Sequence, residues 1–168
     1  MRQRFYICGK ILTAATSGGY SRMPDRRRLD TVLANQRSEI TRLADIVQQF
    51  GAANRLSVDD IMRIRLVLDE IVVNIVAHGY EDAGDTNDHD IHVRLCLDDR
   101  DVLTIRVTDD ARAYDPRLAP APRFDLPVEE RRKGGLGVHI VKTIMDTIDY
   151  QRVDGHNVLT LTKQLQRD

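Results

Sequence analysis

Glu70, Asn74 and His78 stand four residues apart in LVLDEIVVNIVAHGY (66–80), a stretch that is otherwise almost wholly aliphatic. At 3.6 residues per turn this spacing lines the three side chains into one nearly straight row on a helix. Ile71, Val72, Val73, Ile75 and Val76 fill the intervening positions, so most of this helix is expected to be buried. A carboxylate or an amide taken out of water costs on the order of a few kcal/mol unless it finds a partner. The protein can supply one: a backbone carbonyl for Asn74, or a basic side chain such as Arg63 or Arg65 for Glu70, although neither is at i±4. A ligand can supply it too. An amide oxygen suits a hard cation, and a carboxylate one turn away can orient or deprotonate a hydroxyl. On this stretch alone both sources stay open, and His78 reads as a structural residue closing the helix.

Two other stretches carry chemistry. KGGLGVHI (133–140) places glycines at a helix start, where free N–H groups and the positive end of the helix dipole favour phosphate oxygens. Ordinary turn punctuation produces the same pattern. VTDDARAYDP (107–116) puts two carboxylates just past an apolar strand. A carboxylate held at a strand end, as Asp109 would be, can accept from an exocyclic amine such as adenine's. Asp110 is expected to point to solvent in an Asp-rich turn.

The elements that must position these groups follow from periodicity. Residues 29–35 read as a strand. SEITRLADIVQQFG (38–51) reads as a helix, with Ser38 able to cap it and Gly51 able to end it. Ser57 and Asp60 form a capping-box pattern that opens the Glu70 helix. IHVRLCL (91–97) and VLTIRVT (102–108) alternate as a hairpin around DDRD. Residues 109–133 are irregular and hold four of the five prolines, 136–147 read as a helix, and a second hairpin turns at DGHN. The order β, α, α, β, β, loop, α, β, β predicts an α+β, two-layer sandwich: a largely antiparallel, mixed sheet with helices on one face. Residues 1–27 show no clean periodicity and read as a flexible extension before a single domain over 28–168.

Composition narrows the function classes. The 168 residues suffice for one domain with a full core. Its 25 basic and 26 acidic side chains nearly cancel, which calls for neither nucleic acid nor an anionic membrane. Cys8 and Cys96 have no metal-site or disulfide-framework spacing. No apolar run reaches the roughly 18 residues of a membrane helix, and the expected location is the reduced cytoplasm.

In combination, ExxxNxxxHGY, DDxxxYDP, GGLGVHIV and DGHNVLTL resemble the motif series of the GHKL-type ATPases, the superfamily of gyrase, heat-shock chaperones and histidine kinases. HGY, YDP and the short lid resemble more narrowly the anti-sigma-factor serine/threonine kinases. The resemblance covers about residues 28–165. It implies a Bergerat-type ATP-binding fold that uses ATP and Mg²⁺. It places Glu70 as the general base, Asn74 as the ligand of Mg²⁺ on the ATP phosphates, and Asp109 as the acceptor of the adenine amine. Gly135 and Gly137 fall at the phosphate end of the lid, Lys133 (with Arg132 as a substitute) where a basic residue reaches the terminal phosphate, and Asn157 at a polar strand position of the nucleotide pocket. Ala111 stands in the adenine loop where relatives carry glycine, so a positive φ there would be strained. The partner implied is a STAS-domain antagonist that is phosphorylated, with sequestration of a sigma factor and a homodimeric state as further implications. A nucleotide-gated binding module without kinase activity is the competing reading, because Ala111 could weaken the site.

Overall fold

The computed structural model describes residues 27–80, 89–120 and 136–166, together with the backbone of two short strands nearer the N-terminus. Those two, β1 (Tyr6–Ile7) and β2 (Lys10–Ile11), pair antiparallel with each other. The domain proper runs β3 (Arg28–Ala34), α1 (Ser38–Ala53), α2 (Val58–Asn74), β4 (Asp90–Leu97), β5 (Val102–Asp109), α3 (Leu136–Ile144), β6 (Thr147–Val153) and β7 (His156–Gln164). The five longer strands form one sheet in the order β3-β4-β5-β7-β6. Every pairing in it is antiparallel, so the expected mixed character is absent from the described strands.

Register explains the core. Period-two alternation sends one set of side chains to one face, and pairing aligns those sets into rows. Leu29, Leu95, Ile105, Leu161 and Ile148 stand opposite one another in succession across all five strands. Leu95, Ile105 and Leu161 have no exposed surface. The helices cover this face, contributing Leu43, Val47 and Phe50 from α1 and Ile64, Val67, Leu68, Ile71 and Val72 from α2. The two-layer sandwich with helices on one side is therefore the observed architecture.

Several local expectations are corrected. Gly51 does not end α1, which runs on to Ala53. It is buried at the crossing with α2, where a Cβ would stand 2.4 Å from Ile61 Cγ1. The helix ends instead at Asn54, whose side-chain amide donates to Phe50 O (2.8 Å), and Arg55 then takes the left-handed conformation that reverses the chain. Ser38 is the first helical residue rather than the cap, which is Arg37 and makes no side-chain cap bond. At α2 the cap is as expected: Ser57 Oγ accepts from Asp60 N (3.1 Å). The Asp60 carboxylate, shorter than the usual Glu, takes the Ser57 hydroxyl (2.9 Å). Val73 was expected inside and is 41% exposed, because the buried face of α2 is narrower than its aliphatic content. Helix α3 stops at Ile144, three residues early, and the chain passes into β6 at Thr147.

Candidate active site

The sheet end formed by the end of β5 and the start of β7 faces the C-terminal half of α2 and the first half of α3. Between them lies an apolar pocket walled by Ile71, Ile75, Val107, Val138, Val141 and Leu159. Its polar groups include Asn74 and Asp109, singled out by their positions on helix and strand, and Asn157, placed there by the resemblance, with His78, Arg112, Tyr114 and Tyr150 also on the lining. A slot of aliphatic walls with a small number of placed polar groups suits a flat heteroaromatic ring with one polar edge.

Asp109 is the deepest of these, 4% exposed at the end of β5. Both hydrogen bonds it accepts fall on Oδ1, from Ala111 N (3.0 Å) and Asn157 Nδ2 (2.7 Å). Among the described residues Oδ2 accepts none, so it remains available to a donor in the pocket. Burial pushes the carboxyl above the usual aspartate range, opposed by the Asn157 and Ala111 bonds and by the nearby Arg152 charge. Asn157 stands directly opposite Asp109 in the β5–β7 register. Its amide nitrogen also donates to Ala111 O (3.3 Å) and Arg112 O (3.0 Å). Its oxygen accepts from Tyr150 OH (2.8 Å) and Arg152 Nη1 (2.7 Å), and Arg152 Nη1 also reaches Ala111 O (2.6 Å). A buried amide with both ends bonded is fixed in orientation. Asn157 thus lines the pocket while its bonds hold Asp109 and the 111–112 turn. Arg152 and Tyr150 complete that network and carried no sequence signal, since only the β6–β7 register brings them there.

Glu70 and Asn74 share one side of α2, half-buried, and neither side chain hydrogen-bonds to a described residue. The first turn of α3 approaches Glu70 so closely that a Cβ on Gly137 would lie 1.9 Å from Glu70 Oε2. The carboxylate thus lies against the start of α3, and a side chain at position 137 would displace it. Past Asn74 the helix widens into one π-helical turn, Ile75–Gly79, a feature frequent at functional sites. The wider turn takes His78 off the straight row and leaves it exposed on the pocket lining.

Ala111 keeps a negative φ, so the absent glycine leaves no backbone strain. The room a second side chain would need is missing on the other side of the turn: a Cβ on Gly79 would stand 2.8 Å from Ala111 Cβ. The two segments are also joined by Arg112 N donating to Gly79 O (3.1 Å). Gly79→Ala is therefore expected to destabilise the protein by about 1–3 kcal/mol through overpacking. Adding Ala111→Gly should recover about 1 kcal/mol or more of that loss, the sign of direct coupling. Urea unfolding of both single variants and the double variant measures it; strict additivity would refute the contact.

Asp110 points outward, as expected, and ties the strand end to its surroundings. It accepts from Tyr80 OH (2.9 Å) and bonds His89 Nδ1 (3.0 Å), and the Tyr80 and His89 rings stack with centroids 4.1 Å apart. Burial tends to raise its pKa, but the His89 and Tyr80 bonds outweigh that and hold it below the usual range. Burial, followed by the bond to Asp110, pushes the Tyr80 phenol far up, so it serves as a neutral donor. Lys133 and Gly135, with Arg132 and Gly134, lie outside the described residues.

Fold and pocket together define a two-layer α/β domain with an apolar pocket whose polar groups lie at the sheet end. Residues 33–163 match the histidine kinase-like ATPase domain family, and the chain belongs to it. A serine-protein kinase RsbW of Halalkalibacterium halodurans is 34% identical over 125 residues, which cover 70% of this chain and 72% of that protein. The serine/threonine-protein kinase BtrW of Bordetella bronchiseptica is 33% identical over 100 residues, 59% of this chain and 67% of its own. In structure, the RsbU and RsbW domains of Rv1364c from Mycobacterium tuberculosis superpose with a TM-score of 0.60 at 18% identity, a likeness of fold. That match covers 84% of this chain, which spans about a third (33%) of the chain solved there. No helix among the described residues is long and apolar enough to cross a membrane.

Proposed function

We propose that this protein is an ATP-dependent serine/threonine kinase that phosphorylates a STAS-domain antagonist protein in the cytoplasm and, as a homodimer, sequesters a sigma factor. The observation that carries the reading is the arrangement of two half-buried polar groups on one side of α2: Asn74 lines the apolar pocket together with Asp109, and Glu70, one turn earlier and outside that lining, lies against the start of α3. The relatives named as kinases support it.

In this reading adenine lies between the aliphatic walls and donates its amine to Asp109 Oδ2, while Asn157 holds Oδ1. The phosphates extend towards Asn74 and the start of α3. The open amide of Asn74 fits Mg²⁺ through its oxygen, and among the described residues no cluster of three acids or histidines competes for a cation. When bound, Mg²⁺ neutralises phosphate charge. Lys133 and Gly135 complete the phosphate end in this proposal. Glu70 accepts the proton of the substrate hydroxyl as its oxygen bonds to the γ-phosphorus and the bond from that phosphorus to ADP breaks. Incubating the protein with γ-labelled ATP and the STAS-domain protein of its own genome tests this. Label on a serine or threonine of that protein is expected, and nucleotide binding without any transfer would refute it.

Asp109→Asn should weaken ATP about 10–100-fold, since an amide donor set against the adenine amine leaves both unpaired. It should also reduce the preference for ATP over GTP, with the melting temperature little changed. The raised pKa adds a pH dependence. Free Asp109 protonates above the usual aspartate range, whereas the adenine amine needs the ionised acceptor, so ATP affinity falls as pH falls through that range. Titration calorimetry of both proteins across mildly acid pH checks it: the difference between them should shrink as pH drops.

A further inference from the structure

The i, i+4 row that holds Glu70 and Asn74 extends backwards along α2 through Leu66, Met62 and Val58. Steps of four residues advance 400° on a 100° helix, so such a row is a ridge that winds slowly around the axis. Here it winds from solvent into the site. Val58 is 73% exposed, Met62 62% and Leu66 41%, after which Glu70 and Asn74 are half-buried. Val73, one turn beyond Glu70, adds a further exposed aliphatic beside the carboxylate. Aliphatic side chains scattered singly on a surface need no explanation, but a contiguous track does, especially one that leads to a reactive group and is bordered by the exposed charges Asp59, Arg63 and Arg65.

We infer that the ridge Val58–Met62–Leu66 is the docking track for the protein substrate, whose apolar segment beside the acceptor serine or threonine lies along it and delivers the hydroxyl to Glu70. The occupant follows from continuity: the track ends on the carboxylate assigned to the hydroxyl proton, one turn before Asn74, where the phosphates are assigned. The inference rests on the kinase reading above. An apolar contact that precedes chemistry supplies binding alike in ground and transition states, so its loss raises KM and leaves kcat unchanged.

The test uses Met62→Gln, Leu66→Gln and the double variant, each of similar length, helix-compatible and on exposed positions. Phosphorylation of the STAS-domain protein is measured over a range of its concentrations at saturating Mg-ATP, with ATP affinity by calorimetry and oligomeric state by sedimentation. The expected result is a KM for the protein substrate raised about tenfold in each single variant and further in the double, with kcat, ATP affinity and oligomeric state as in the wild type. An unchanged KM overturns the docking track and leaves the kinase reading standing. A change of oligomeric state overturns it in favour of a contact between copies of the chain. Absence of any transfer by the wild type removes the kinase reading and the track with it.

Discussion

Asn74→Ala is expected to lose Mg-ATP affinity by about 10–100-fold while folding as well as the wild type. A contact to a charged group contributes about 1.5–3 kcal/mol, and each 1.4 kcal/mol is a factor of ten. Stability should not suffer, because the Asn74 side chain is half-buried without a hydrogen bond to any described residue, and alanine is the better helix former. Removing the amide therefore deletes a ligand contact and nothing structural. Calorimetry with and without Mg²⁺ isolates the role: in chelator the variant and wild type should bind ATP alike, and with Mg²⁺ only the wild type should gain. A variant that loses affinity equally in both conditions would take Asn74 off the metal. One that melts well below the wild type would make it a packing residue.

Asn74, singled out by its place in an aliphatic helix, lines the candidate pocket, and that shows which kind of position is legible in sequence. A polar residue at helical spacing in an aliphatic run is conspicuous, because burial makes it costly and period makes its direction known. Asp109 was legible for a similar reason, as a carboxylate at the end of an alternating strand. Groups that act through register were not. Asn157 was named only through the resemblance, and its bond to Asp109 across 48 residues of chain, like the arrival of Arg152 and Tyr150, depends on how β7 pairs with β5 and β6. Glycine was ambiguous in the same way. Gly51 looks like a helix terminator, yet its lack of a side chain serves contact with Ile61, and Gly79 serves contact with Ala111. Local pattern cannot distinguish a glycine that ends a helix from one that lets another element approach. The departure at Ala111, which suggested a weakened adenine loop, is accommodated by that second kind of glycine. The fold was more legible than its joints: among the described residues the five strands of the main sheet and helices α1 to α3 stand close to where periodicity placed them, while α1 runs past Gly51 to a local cap at Asn54 and α3 gives way early to β6.

Glu70→Gln should slow phosphoryl transfer by about 10²–10⁴-fold at saturating Mg-ATP, the usual range for general-base assistance. Glutamine keeps the size and polarity of the side chain, so ATP affinity and folding should change little. Gly137 provides an independent way to disturb the same carboxylate. A Cβ there would lie 1.9 Å from Glu70 Oε2, and since the Glu70 side chain is flexible the contact is relieved by its displacement rather than by unfolding. Gly137→Ala should therefore also lower the transfer rate by about tenfold or more while the protein stays folded. If both act through the one carboxylate, the double variant should be scarcely slower than Glu70→Gln alone, because residues working as a unit are not additive. Single-turnover transfer to the STAS-domain protein, with ATP affinity measured alongside, reads all three. Multiplicative losses would mean that Gly137 acts separately, through the phosphates, and its ATP affinity would then fall as well. A Glu70→Gln protein that transfers at the wild-type rate would remove Glu70 from the chemistry, and a wild type that binds ATP but phosphorylates nothing would make the domain a nucleotide-gated binding module.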